Sequence, residues 1–309
     1  MKYAIISDIH GNHHALEAVI ADATAQGVDK YLFLGDYAGK LAHANYVVEI
    51  IRNLESAIVI QGNGERDFIN LLGRDPQTFT HEQLKPMYWS FQDLTAVNLA
   101  YLINLPETLT IKDGCFDIHL AHAMDLFFRK PEIKMFYSHY FHTFMEDPLN
   151  HDEYLVRGRE ALLACALPEI KALPKGIYLL GHNHLQFYME YEGRIFINPG
   201  GCGQPLGWDP RAAYTILTIN GSDWAVAERK VEYDLELAVS GLDSSGFTAY
   251  APEWSAVLKL QLLTGKDYFQ YFVDHVLATG REMGLPEVPV CNDVWAAAVG
   301  TWDAGEIYG

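Results

Sequence analysis

The chain has 309 residues, half of them hydrophobic, with 22 Lys plus Arg against 40 Asp plus Glu and a formal net charge of −18. That balance excludes non-specific nucleic-acid binding, which needs a basic footprint, but not a phosphate substrate, because bound cations invert the local field. No apolar run approaches the roughly 20 residues that span a membrane, and the four cysteines, Cys115, Cys165, Cys202 and Cys291, form no C-x-x-C pair, which argues against a disulfide framework or a zinc knuckle.

Met1-Lys2-Tyr3 enters a strand at once, without a signal-peptide apolar region, so no membrane association and a cytoplasmic location are expected. Residues 3–7 read as a buried strand. Asn12 reads as the N-cap of a helix with Ala15, Leu16, Val19, Ile20 and Ala23 on one face, ended by Gly27. A second strand over 31–34, a helix over 44–54 and a third strand over 57–61 follow. Strands alternating with helices predict parallel pairing with right-handed crossovers, and ligands gather at the carboxyl ends of such strands. Asp8, Asp36 and Asn63 lie there.

Residues 66–104 read as mostly helical. Residues 107–112 and 115–122 read as an antiparallel pair about Asp113-Gly114. An aromatic-rich, helical insertion occupies about 124–175, and a strand over 177–180 runs into Gly181-His182. Two hairpins follow, 187–191 with 194–198 across Glu192-Gly193, and 213–219 with 224–233 across Asn220-Gly221. Beyond Asp234 the pattern is helical, over 254–263 and 268–283, with no further strand.

Metal pairs that act on phosphoryl groups need hard oxygen and imidazole ligands and one carboxylate shared between the ions. Asp36 is the natural bridge, because Gly35 leaves room for close approach. Asp8, His10 and His184 could complete one site, and Asn63, His122 and His182 the other. Two residues apart on an extended backbone, Asp8 and His10 are expected to point to one side, as are His182 and His184. His119 and His122 have opposite parity, so only one faces the site, and His122 at the strand end is the choice. Asp36, Asn63 and His122 are the expected catalytic residues. A lone Asp-x-His is usually a turn or a cap; five such segments, most of them just past an apolar run, point to chemistry.

These segments, D-x-H, G-D, G-N, a single His and G-H-x-H, resemble those of the calcineurin-like metallophosphoesterase superfamily. Residues 7–12 with Ala15-Leu16-Glu17-Ala18-Val19, residues 98–102 before Leu105-Pro106, and residues 198–205 with Asp209-Pro210-Arg211-Ala212 resemble its small bacterial YfcE-like phosphodiesterase branch. The resemblance covers residues 1 to about 234. It implies an α/β fold, a four-layer α/β/β/α sandwich, over 1–234; the tail lies outside it and reads, from its own periodicity, as a helical C-terminal extension over 235–309. It also implies two divalent metal ions, Mn most commonly, with Fe, Zn or Ni as others. Asp36 falls on the bridging position, and Asp8, His10, Asn63, His122, His182 and His184 on the other ligand positions.

The expected function is hydrolysis of phosphate esters, foremost small phosphodiesters, by a hydroxide held between the ions. Many superfamily members carry G-N-H-D/E; here Gly62-Asn63-Gly64-Glu65 supplies no imidazole to the leaving group. Substrates with acidic leaving groups are therefore expected, because general-acid help is worth roughly 10²–10⁴-fold. His13, His139 and His142 are the candidates for a replacement acid, against a packing or surface role for each. Asn12 and Arg66 are candidate substrate contacts, with capping and surface pairing as the plain alternatives; Arg129 and Arg211 are weaker ones. Glu65 is expected to brace its loop or orient a ligand imidazole, and Cys202 to be a small buried residue. Phe127, Phe128, Phe136, Tyr137, Tyr140, Phe141 and Phe144 are candidates for a substrate-selecting wall.

The alternatives are a phosphomonoesterase, a dinucleoside polyphosphate hydrolase or a protein phosphatase, the last lowered because residues 35–40 lack an Asp-Arg pair. A binding scaffold on this fold is a further alternative, but it would be expected to have lost ligands. The apolar faces of the C-terminal helices could form a homo-oligomer or cover the active site.

Overall fold

The computed structural model describes residues 1–128 and 151–305. Apolar residues on both sides of the central strands give each sheet two apolar faces, one for a second sheet and one for helices. The first sheet starts with β1 (Lys2–Ile6), β2 (Lys30–Phe33) and β3 (Ala57–Val59), linked by α1 (His13–Ala25) and α2 (Ala44–Asn53). Both strand pairs are parallel, as the alternation predicted. Helices α3 (Asn63–Ile69), α4 (Lys85–Asp93) and α5 (Ala96–Ile103) lead to the second sheet.

That sheet contains β4 (Thr108–Asp113), β5 (Phe116–Ala121), β6 (Gly176–Leu179), β7 (Gln186–Tyr191) and β8 (Arg194–Pro199), with α6 (Asp125–Phe128) and α7 (His151–Ala172) before β6. β9 (Ala212–Asn220) and β10 (Asp223–Val231) return to the first sheet, where β9 pairs antiparallel with β1. The strand orders are β10-β9-β1-β2-β3 and β4-β5-β6-β8-β7. Each of the three expected hairpins forms.

Tyr3, Ile5, Leu32, Ile118, Ile177 and Ile197 fill the space between the sheets. Their strand neighbours Ala4, Ile6 and Phe33 face α1 and α2, and Tyr178 and Phe196 face α7. The result is the α/β/β/α sandwich. Full burial of one Ile or Leu contributes about 1.5–3 kcal/mol, so the layer between the sheets fixes their relative placement and the rim they share.

After β10 come α8 (Leu235–Ser244), α9 (Phe247–Tyr250), α10 (Pro252–Thr264), α11 (Tyr268–Glu282) and α12 (Asn292–Thr301). Trp254, Leu258, Leu262, Phe272, Val276 and Trp295 form their own buried cluster, which takes in Leu41 and Ala42 from the loop after β2. Only α10 and α11 were legible as periodic segments. α8 buries just Gly241 and Leu242, and α12 just Val294, Trp295 and Ala298, too few positions to show a period. Among the described residues, no helix is long and apolar enough to cross a membrane.

Candidate metal centre

The strands stop short of the residues that carry the chemistry: β1 ends at Ile6 and β6 at Leu179. Asp8, His10, Asp36, His182 and His184 have φ of 56°, 52°, 56°, 74° and 58°, all in the left-handed region. The expected strand alternation therefore does not hold. The two pairs converge through turns, and that of Asp8 and His10 is stitched to the loop after β2. Asp8 N–H donates to Gly35 O (3.1 Å), those of Ile9 and His10 to Asp36 O (2.9 Å each), and that of Gly11 to Tyr37 O (2.8 Å). A non-glycine residue in this region costs about 1–3 kcal/mol and persists where its surroundings over-determine it.

Around this turn the acceptors outnumber the donors. His10 Nδ1–H donates to Ala38 O (3.2 Å) and His184 Nδ1–H to Gln204 O (2.9 Å). A carbonyl oxygen only accepts, so each ring carries its proton on Nδ1. The two Nε2 lone pairs then face each other at 3.2 Å. Likewise His122 Nδ1–H donates to Leu34 O (2.8 Å), which turns its Nε2 toward Asn63 Oδ1, 3.2 Å away. His182 Nδ1 lies 2.8 Å from the same oxygen.

Asp8 Oδ1 is buried without a hydrogen-bond partner, 3.4, 3.9 and 4.0 Å from the Nε2 atoms of His184, His10 and His122. Asp36 Oδ2 lies 3.7 Å from His10 Nε2 and 3.5 Å from His122 Nε2. Converging lone pairs repel unless a cation lies among them, and hard oxygens with imidazoles suit a divalent ion. The residues thus fit a metal centre, in two overlapping groups: Asp8, His10 and His184, and Asp8, Asp36 and His122. Asp8 reaches both groups, which the sequence reading had reserved for Asp36. His119 turns away, as parity required; it hydrogen-bonds Thr110 and stacks on Tyr178.

Glu65 holds the nest together. Its Oε2 accepts from Asp36 N–H and Gly62 N–H (2.9 Å each) and its Oε1 from Tyr37 N–H (2.8 Å). Of its two expected roles, it braces the loop and touches no ligand imidazole by these bonds. Tyr37 adds a second tie, accepting from Gly35 N–H and donating to Ile60 O at 2.6 Å. Gly35, at φ 106°, has no alternative, since a Cβ there would lie 2.5 Å from the Gly62 backbone.

The model of the calcineurin-like phosphoesterase superfamily domain matches residues 1–222. The chain belongs to the calcineurin-like phosphoesterase superfamily. It is 27% identical to an uncharacterized protein, MJ0912, of Methanocaldococcus jannaschii, over 81% of this chain and 94% of that one. It is similar in structure to a metallophosphoesterase from Sphaerobacter thermophilus, with a TM-score of 0.59 and 25% identity, covering 84% of this chain and 98% of that one. It shares its fold with the hypothetical protein PH1004 of Pyrococcus horikoshii, at a TM-score of 0.58 and 18% identity, covering 83% and 97% of the two chains.

In this phosphoesterase, burial pushes Asp8 up to about 6, with His122 opposing and the Asp36 charge adding. Burial also acts to raise Asp36, but His122, His10 and the Gly64 N–H hold it well below the usual carboxylate range. Burial and the Lys40 charge keep His10 and His184 well below the usual imidazole range, in the neutral form a metal requires. Burial acts to lower His122, yet Asp36 and Asp8 together lift it to about 9.

A two-lobed cleft opens onto the nest, with lobes of about 150 and 180 Å³ that share Asp36, Lys40, Asn63 and Phe269. One lobe is polar at His182, Gln204, Gln261 and Gln270; the other is walled by Leu84, Pro86, Met87 and Trp254. Gln261, Phe269 and Gln270 come from α10 and α11, so the C-terminal helices form one wall of the site.

The candidate substrate contacts fare differently. Asn12 caps α1, accepting from Ala15 N–H at 3.1 Å, and donates to Gly203 O at 2.9 Å. Arg66 pairs with Glu107 at 2.9 Å and Arg211 with Asp209 at 2.7 Å. None of the three lines the cleft. His13 sits 3.5 Å from Glu17 and against His14, also outside the cleft. Phe127 and Phe128 pack on Tyr178 and Phe196 as core. Cys202 is fully buried, and burial raises its thiol. Arg129, Phe136, Tyr137, His139, Tyr140, Phe141, His142 and Phe144 lie outside the described residues. Lys40, Gln204 and Phe269 were missed. The one available signal was a cation four residues after Asp36, in the loop where an Arg was sought.

Proposed function

We propose that this phosphoesterase hydrolyses small phosphodiesters at a dinuclear centre. Asp8, His10 and His184 would hold one ion, Asn63, His122 and His182 the other, and Asp36 both. The observation that carries this reading is the set of imidazole lone pairs, with the unpartnered Asp8 oxygen, aimed at common points. Two divalent ions, Mn²⁺ by family habit, would supply Lewis acidity and a water acidified toward a pKa of about 7.

The chain's own residues set the geometry. The carbonyls of Ala38, Gln204 and Leu34 fix the tautomers of His10, His184 and His122. Glu65 fixes the Asp36 backbone against α3. The neutral amide of Asn63 leaves its ion more electrophilic than a carboxylate would. The cleft's two lobes favour a diester over a monoester, because both ester arms then find a wall on either side of Asp36 and Asn63.

The test is turnover of bis-p-nitrophenyl phosphate and p-nitrophenyl phosphate by Mn²⁺-loaded protein, with and without chelator. The diester is expected to turn over faster, chelation to abolish the rate and Mn²⁺ to restore it. A faster monoester would overturn the diester assignment, and protein with two bound ions and no turnover would overturn the enzyme reading. Over a series of aryl diesters, the rate is expected to fall steeply as the leaving-group pKa rises, because Gly64 offers no proton. A flat series, with chemistry limiting, shows another acid.

A further inference from the structure

We propose that Lys40 holds a non-bridging phosphoryl oxygen of the substrate, and that Phe269 of α11 positions it. This deepens the phosphodiester reading and rests on it. Lys40 borders both lobes of the cleft together with Asp36 and Asn63, and among the described residues lining the cleft it is the one Lys or Arg side chain. Among the described residues it also makes no ion pair, in a chain of net charge −18 where carboxylates abound.

Its side chain is held rather than loose. The ammonium donates to Gln204 Oε1 at 2.7 Å and lies 4.3 Å from the centroid of the Phe269 ring. Phe269 is stacked on Trp254 at 4.9 Å, inside the cluster of the C-terminal helices. An ammonium has three donors, and Gln204 takes one, so further N–H groups remain for an anion. Gly64, which stands where many superfamily members carry an imidazole, borders the same lobe as Lys40. A fixed cation on the rim would bind a phosphoryl oxygen and stabilise the charge that develops on it. The ligand class is a phosphodiester monoanion or inorganic phosphate. The family match ends at residue 222, so the Phe269 support is supplied by a segment beyond it.

The experiment uses full-length, Mn²⁺-loaded protein and reads two quantities, inorganic phosphate affinity by calorimetry and steady-state kinetics with bis-p-nitrophenyl phosphate. Lys40→Met keeps the apolar stem over Phe269 and removes the charge. It is expected to weaken phosphate binding at least 10-fold and to lower kcat/KM by roughly 10²-fold, the scale of one lost transition-state donor, with metal content unchanged. Lys40→Arg is expected to recover most of both. Phe269→Ala is expected to raise KM several-fold with little change in kcat, and Phe269→Tyr to behave as wild type. Phosphate binding by Lys40→Met within 2-fold of wild type overturns the proposal, as does failure of Lys40→Arg to recover binding while folded and metal-loaded. Should wild type turn over no ester while Lys40→Met still loses phosphate affinity, the Lys40 site stands and the esterase reading falls.

Discussion

Replacing Asp36 by Asn is expected to lower turnover by roughly 10³-fold or more, well beyond the 10–100-fold that loss of a supporting group costs, while leaving the protein folded. The two outcomes separate because the substitution is isosteric but reverses a hydrogen-bonding sense. Asp36 Oδ1 accepts from Gly64 N–H at 2.8 Å, and an amide oxygen can take over that contact. Its Oδ2 faces His10 and His122 at 3.7 and 3.5 Å. An NH₂ placed there could donate to the His10 lone pair, but it gives up the charge that helps hold His122 protonated, so one buried charge pair is lost. The variant is therefore expected to hold fewer than two ions by plasma emission, with a lowered denaturation midpoint but a cooperative transition, because the depressed Asp36 carboxyl stabilises the fold in its ionised form. A variant that retains two ions and a tenth or more of the wild-type rate would remove Asp36 from the bridging position.

Glu65→Ala is expected to cost on the order of 4 kcal/mol of stability, since each buried donor left unsatisfied costs about 1–3 kcal/mol and Glu65 serves three. The N–H groups of Gly62, Asp36 and Tyr37 all end on this one fully buried carboxylate. Water cannot replace it without opening the junction between the loop after β2 and the start of α3. That loss is a large share of the roughly 5–15 kcal/mol that holds an ordinary domain folded. Glu65→Gln keeps one acceptor and sets an NH₂ against at least one N–H, so an intermediate loss is expected. Urea denaturation reads both effects as a lower midpoint at constant slope. Turnover should fall with them, because Asp36 and Asn63 lose their common anchor. A Glu65→Ala variant within 1 kcal/mol of wild type would show that the three donors find other partners.

Much of the site was legible residue by residue. Asp8, His10, Asp36, Asn63, His122, His182 and His184 all reach one nest. The geometry assumed for two pairs was nevertheless wrong. Alternation on a strand would have placed Asp8 with His10 and His182 with His184; the structure does it with left-handed turns. Neither segment has a sequence mark for φ of an individual non-glycine residue, since the bonds that hold it come from distant chain: the loop after β2 for Asp8 and His10, and His122 O, Asp8 Oδ2 and Gly201 N–H around His182 and His184. The substrate contacts show the opposite failure. Asn12 was a candidate as a polar group at a helix start and Arg66 as a cation able to meet phosphate, yet Asn12 is spent on the helix end and Arg66 on Glu107.

By itself, the sequence determined what depends on local order. It set which strands alternate with helices, where each strand ends in a carboxylate, amide or imidazole, and that the chain past residue 234 is helical. Tertiary structure alone decided which of those ends meet, that Asp8 touches both ligand groups, and that Lys40, Gln204 and Phe269 border one cleft. The reason is that local propensity acts over a few residues, whereas Lys40 meets Gln204 and Phe269 only because the buried cluster around Trp254 and Phe272 draws in Leu41 and Ala42, the residues that follow it.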